Sequence, residues 1–288
     1  MPQETTAVGK DPRDWIGKVE ERTGAVPGAV LQMLAGALDH GIYRDLSASE
    51  GSPLPPLSHW TAFPESTGLS DLGADGHPRL GRFLPPIDLG RRMWAGGEIS
   101  FDGDLHVGEA LSRRSEIQAI EEKQGGAGPM VFVKVHHRIT GAAGGSVEES
   151  QDLVYLPLPK SFSPPKPIPV PEATLFDEPL SMEIVRLFRF SAATYNGHRI
   201  HYDLDYAERV EKYPGLVVHG PMQAMLLMEA GMRHAGRQPA QFRFRGVHPM
   251  FHDRTLHLVG LAADDDGLAL CTASTDGHQG LQARIVWA

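Results

Sequence analysis

Residues 156–173, LPLPKSFSPPKPIPVPEA, carry prolines at 157, 159, 164, 165, 167, 169 and 171. Seven pyrrolidine rings lock φ and remove backbone donors, so neither a helix nor a central strand can run through this stretch. An extended, polyproline-like crossing is expected. It divides the chain into an N-terminal part, 1–155, the linker 156–173, and a C-terminal part, 174–288.

Each part pairs one apolar helix with strand-like sequence. In the first, VPGAVLQMLAGALDHG places Val30, Leu31, Leu34 and Leu38 at helical spacing, with Pro27 near the start and Gly41 beyond the end. In the second, HGPMQAMLLMEAGMRH opens on Pro221, tolerated in a first turn, and is apolar almost all round through Met225, Leu226, Leu227, Met228 and Met232. A helix with so little polar face must be enclosed. GEISFDGDLHVGEALSRRSEIQAIEE, GPMVFVKVHHRIT and EESQDLVYL read as antiparallel strands of the first part. In the second, TLHLVGLAADDDGLALCTAS alternates around a DDDG hairpin turn. The expected class is α+β: a curved antiparallel sheet wrapped around a central helix, the hotdog arrangement, twice in tandem.

Thirty-six acidic against 27 basic residues give a formal net charge of -9, which opposes a general nucleic-acid or anionic-membrane surface. An anionic ligand would have to be met by a few placed arginines. The single cysteine, Cys271, rules out an internal disulfide framework and a cysteine zinc cluster, and reads as a small buried strand residue. The N-terminus lacks an apolar leader core, and no apolar run approaches the roughly 18 residues of a membrane span. A soluble cytoplasmic protein is expected. His136 and His137 would face opposite sides of a strand, a poor metal pair. There is no phosphate loop, dinucleotide fingerprint, nucleophile elbow or HExxH motif, so neither metal nor redox cofactor is expected.

The chemistry concentrates in TYNGHRIHYD, residues 194–203, which holds Asn196, the only asparagine of the chain. Adding water to a double bond conjugated with a thioester requires a base for the water, a donor for the enolate oxygen, and a proton for the α-carbon. Imidazole suits the proton work, and His201 is the candidate. A backbone N–H at a helix start suits the enolate, and Gly220 in VVHGPM offers one, since Pro221 cannot donate. Asn196 could then fix the water against His201. Blander readings stand beside these: Asn196-Gly197 is also a tight-turn dipeptide, and His201 could be one more satisfied structural histidine among 14. His198 and His219 are expected to hydrogen-bond backbone. Asp203 is expected to support the site by capping a helix over LDYAERVEKY.

FSAATYNGHRIHYDLDYA followed by YPGLVVHGPMQAMLL resembles the active-site signature of the MaoC-type hydratases and dehydratases, in the hydroxyacyl-thioester dehydratase type 2 branch. The likeness covers residues 190–222. HWTAFPE and GRFLPPIDLGRRMWAGGEISF in the first part are similar to the mesaconyl-coenzyme A and itaconyl-coenzyme A hydratases of that branch. The resemblance implies a tandem hotdog, an acyl-coenzyme A substrate with no separate cofactor, a site between the halves with the signature-free half shaping the acyl pocket, and a homodimer. The wider family has an aspartate five residues before its histidine. Here that position is Asn196, and an amide cannot exchange a proton near neutral pH.

A dicarboxylic substrate needs a cation, and guanidinium grips carboxylate through two parallel bonds. The candidates are Arg91, Arg92, Arg199 and Arg245, with Trp94 and His219 as further substrate contacts. Hydration of a short branched or dicarboxylic enoyl-coenzyme A is the favoured activity. A 3-hydroxyacyl-thioester dehydratase of fatty-acid synthesis would run the same site in reverse but needs a long apolar tunnel. A non-catalytic thioester-binding module is the third reading, kept open by Asn196.

Overall fold

The computed structural model describes residues 11–126 and 128–288. Residues 1–10, part of the segment examined above for a leader, lie outside the described residues. The first part contributes β1 (Val19–Gly24), α1 (Gly28–Leu38), β2 (Arg91–Asp102), β3 (Leu111–Gly125), β4 (Gly128–Gly141) and β5 (Ser146–Leu156). The second contributes β6 (Phe176–Ser181), α2 (Ile184–Thr194), α3 (Leu204–Arg209), α4 (Gly220–Ala235), β7 (Pro239–Gly246), β8 (Thr255–Ala263), β9 (Gly267–Ser274) and β10 (Gln279–Trp287).

All ten strands form one antiparallel sheet in the order β1-β3-β4-β5-β2-β7-β10-β9-β8-β6. Read inward from either end, the five strands of each half follow the same order: first, third, fourth, fifth, second. The halves therefore repeat one topology and meet edge to edge, where Glu98 pairs with Arg243 and Ile99 with Phe242 across β2 and β7. This is the tandem hotdog of the α+β class.

α4 is the enclosed helix its sequence requires. Residues from Met222 to Gly231 are buried, the helix lies on β7 to β10, and Gly236 ends it at φ 63°. Its buried Glu229 accepts from the Ile42 N–H and from Arg233 and pairs with His40 at 3.0 Å. His40 reaches Glu178 on β6 as well, so this ionic cluster ties the end of α1 to the second half.

α1 departs from the expected pattern. Leu31, Leu34 and Leu38 are fully buried beside Leu111, Ile139 and Val147, but the helix packs chiefly along α2 and leaves Met33 52% exposed. Its apolar positions form one stripe, enough to cover a surface but not to fill a wrapped sheet. β1, β6, β7 and α2 are absent from the sequence reading. β1 (VEERTG) and β6 (FDEPLS, with Pro179) are the outermost strands, and edge strands that carry charge and proline show no apolar alternation.

The proline-rich segment is strapped down. The Val170 N–H donates to Gly277 C=O and the Gln279 N–H to Ile168 C=O, which lays Val170 over Val259, Cys271 and Ala273. Cys271 is accordingly fully buried on β9. The DDDG turn joins β8 to β9, with Asp264 Oδ1 accepting from the Gly267 N–H at 2.8 Å.

Candidate active site

The signature is a loop folded on its own side chains. α2 ends at Tyr195, whose φ of 52° is left-handed, and the Asn196 N–H closes the end on Ser191 C=O at 2.8 Å. Asn196 Oδ1 accepts from the His198 N–H at 3.0 Å, which leaves the amide NH2 as its donor end. A 3-10 turn, Arg199–His201, follows. Asp203 caps α3 by accepting from the Tyr206 N–H at 3.0 Å, and its other oxygen takes Arg199. The chain returns through Val217, whose N–H donates to Ile200 C=O, and enters α4 at His219.

His201 is 7% exposed, and its Nδ1 lies 2.7 Å from the Val217 carbonyl oxygen. A carbonyl only accepts, so Nδ1 carries the hydrogen and Nε2 keeps its lone pair. The ring stacks on His219, centroids 3.6 Å apart, and meets His198 edge-on at 5.5 Å. Burial, with His198 adding to it, pushes the His201 pKa down to about 3 despite the Val217 bond. Burial and His201 depress His219 well below the ordinary range, so both rings are neutral at working pH. The expectation that His198 and His219 bond to backbone through their rings is corrected: each ring meets a side chain instead, and His219 Nδ1 is left without a partner. His219 Nε2 meets Ser191 Oγ at 2.8 Å, and His198 Nε2 meets Glu211 Oε1 at 3.2 Å.

Glu211, 2% exposed, is the surprise of the site. Burial lifts its carboxyl to about 7, opposed by Arg91. Arg91 Nε stands 3.4 Å from Glu211 Oε2, and its guanidinium lies over Tyr213, 4.7 Å from the ring centroid.

The first half supplies the other wall through residues 71–79 and β2. The Arg199 N–H donates to Asp75 C=O, and Arg199 Nη1 to Ala74 C=O. A Cβ at Gly76 (φ +88°) would stand 2.0 Å from the Gly197 oxygen, so two glycines let the backbones touch. His77 thereby reaches His198, ring centroids 4.6 Å apart. Burial first, then Arg92, lowers the His77 pKa. Asp75, His77 and His198 bring ligand-type atoms within 4.8 Å of one another, but His198 Nε2 is engaged by Glu211 and Arg92 flanks the group with positive charge.

The structure thus gathers Asn196, His198, His201, His219, Arg91 and Arg92. Gly220 stands next to His219 as the first residue of α4, and a Cβ built on it would meet nothing within 4 Å. As a first-turn residue its N–H has no intrahelical acceptor. Three candidates are placed otherwise. Arg199 is spent on Asp203 and lies over Tyr206. Arg245 is exposed on β7, because strand alternation turns it opposite to the buried Phe244. Trp94 packs with Trp60 and Phe244 at a separate cavity of about 130 Å³ lined by His59, Arg113, His137 and Glu149. There Glu149 is held at about 2, burial being outweighed by His59 and Gln151. Sequence reasoning missed Asp75, His77, Ser191, Glu211 and Tyr213. Glu211 lies in EKYPG with no periodicity around it, and His77 comes from the other half.

A double hotdog in which one loop holds a buried histidine, fixed in tautomer, at the entrance to the enclosed helix is a MaoC-like hydro-lyase. The chain belongs to the hydroxyacyl-thioester dehydratase type 2 family, whose model matches residues 57–252. It is 38% identical over 276 residues to the mesaconyl-C(4)-CoA hydratase of Chloroflexus aurantiacus, covering 94% of this chain and 96% of that one. Among solved structures it resembles a MaoC-like dehydratase from Phytophthora capsici, with TM-score 0.67 and 13% identity over 96% of this chain and 97% of the other. A Mycobacterium tuberculosis protein described as having a double hotdog fold superposes with TM-score 0.55, at 14% identity over 94% of this chain and 95% of the other. These two likenesses concern the fold.

Proposed function

We propose that the protein hydrates a short enoyl-coenzyme A, branched or dicarboxylic, of the mesaconyl-C4 or itaconyl type, with His201 as the base. The observation that carries this reading is the tautomer of His201. Nδ1–H is committed to Val217 at 2.7 Å, which leaves Nε2 as the basic atom. A water oriented by the Asn196 amide would give a proton to Nε2 while its oxygen bonds the β-carbon. The imidazolium would return that proton to the α-carbon, so thioester plus water yields the 3-hydroxyacyl thioester with nothing left over. Negative charge collects on the thioester oxygen in between, and the Gly220 N–H at the start of α4 is the donor for it.

Arg92 is the guanidinium for a second carboxylate. It is half-buried beside His77 and His198 and forms no ion pair among the described residues, whereas Arg91 and Arg199 are paired and Arg245 points outward. The relationship to a mesaconyl-C(4)-CoA hydratase supports this choice. Coenzyme A as part of the substrate, with no separate cofactor or metal, a homodimer and a cytoplasmic location complete the proposal. No helix among the described residues is long and apolar enough to cross a membrane.

The family description favours a second reading, dehydration of 3-hydroxyacyl thioesters. Loss of enoyl-thioester absorbance with mesaconyl-C4-, itaconyl-, crotonyl- and longer linear enoyl-coenzyme A substrates separates the two. Turnover of a dicarboxylic substrate supports the hydratase, and preference for longer linear chains supports the dehydratase. Binding without turnover of any of them overturns both in favour of a binding module.

A further inference from the structure

The family position for an acid holds Asn196, yet a carboxyl group is present one residue deeper. Glu211 is almost wholly buried, Oε1 lies 3.2 Å from His198 Nε2, and His198 meets His201 edge-on. Neither Glu211 Oε2 nor Arg91 Nε makes a geometrically sound hydrogen bond, so the carboxyl is only partly compensated. A buried acid held by one imidazole and a loosely placed guanidinium is costly to the fold, and such groups concentrate where a charge is used.

We propose that Glu211, acting through His198, is the positioning acid of the site and takes over the electrostatic part of the role that an aspartate at position 196 would play. The proposal rests on the hydratase reading. When His201 Nε2 takes the proton of water, a positive charge forms in a pocket that opposes it by burial and by neighbouring imidazoles. Ionised Glu211 offsets that charge across the His198 ring. The groups facing Glu211 are His198 from the signature, Arg91 from β2, Tyr206 from α3 and Tyr213 beyond it. His198 in turn faces Asp75, His77, Arg91, Arg92 and His201. Among the acids, Asp75 also faces His198, but Glu211 is the one in hydrogen-bonding reach of its Nε2.

The sign follows. Protonating Glu211 removes the offsetting charge, so kcat/KM of the wild type should fall as pH drops through the region near 7 to which burial lifts this carboxyl. The test is the pH profile of hydration from pH 5.5 to 9 for wild type, Glu211→Gln, Glu211→Asp and Asn196→Asp/Glu211→Gln, each with its Tm. Glu211→Gln should lose at least about tenfold at pH 8, the worth of one pKa unit, and lose the limb near 7. Glu211→Asp should keep a limb, and restoring an acid at position 196 should recover rate. A Glu211→Gln profile with the wild-type limb, whatever its height, overturns the proposal. So does a Glu211→Asp enzyme without a limb, should the amide variant not fold. Absence of wild-type turnover would instead count against the hydratase reading itself.

Discussion

His201 and His219 stack with ring centroids 3.6 Å apart and planes 19° from parallel. Two imidazoles this close cannot both be charged in a buried pocket, and burial holds both below the ordinary histidine range. His219 is pinned from behind by Ser191 at 2.8 Å, while its Nδ1 has no partner. Ser191→Ala would strand a second nitrogen and should cost about 1–3 kcal/mol. The double variant Ser191→Ala/His219→Phe keeps the stack and leaves neither an orphaned nitrogen nor an orphaned hydroxyl, and should cost less. Denaturant unfolding of the two variants checks this order.

His201→Ala removes the proposed base and should lower kcat by about 100-fold or more, the scale of general base catalysis. Steady-state hydration rates beside a circular-dichroism melt separate lost chemistry from lost fold. A loss below about tenfold with the fold intact would remove His201 from its assigned role.

Arg92→Gln should discriminate between substrates. A charged hydrogen bond to carboxylate is worth about 1.5–3 kcal/mol, or roughly 10- to 100-fold in kcat/KM for mesaconyl-C4-coenzyme A. Crotonyl-coenzyme A, with no second carboxylate, should lose far less. Equal losses on both would assign Arg92 to the general electrostatics of the site.

Gly76→Ala places a methyl group on the Gly197 carbonyl, at a residue whose φ is left-handed. The 71–79 loop should be pushed off the signature, taking His77 from His198. The expected outcome is a fall in kcat larger than the fall in Tm would suggest. Gly51→Ala, also at positive φ but with nothing within 4 Å, is the control for backbone strain alone.

Stability should fall on acidification from about pH 6.5. His137, His198, His201 and His219 are buried, and burial holds their folded pKa values below the unfolded ones, at about 4, about 4 and about 3 for the first three and well below the ordinary range for His219. The unfolded chain therefore binds more protons, and each such group contributes up to about 1.4 kcal/mol less per pH unit below 6.5. Glu211 acts oppositely: its raised pKa contributes stability that is lost as pH rises through about 7. Four imidazoles outweigh one carboxyl, so Tm measured from pH 7.5 to 5 should decline.

Local pattern carried much of this architecture. The proline run, the all-round apolar α4 and the DDDG hairpin state their structure in sequence, because their spacing has one physical solution. The edge strands β1 and β6 do not, since charge and proline hide their alternation. β7 carries an alternation of Phe242 and Phe244 too short to stand out, and α2 (Ile184–Thr194) runs only its last residues into the signature, with exposed Val185 and Phe188 blurring its apolar face.

The sequence by itself determined which groups could do chemistry: a histidine, an amide and a glycine before a helix proline, within thirty residues of one another. The tertiary structure decided which of them lie together. Tautomer, burial and charge are properties of surroundings, and those of His201 come from Val217, His198 and His219, while His77 and Arg92 arrive from the other half of the chain. Glu211 became an acid of the site only when folding removed it from water and set it against His198, for desolvation is not written in a residue's neighbours along the chain.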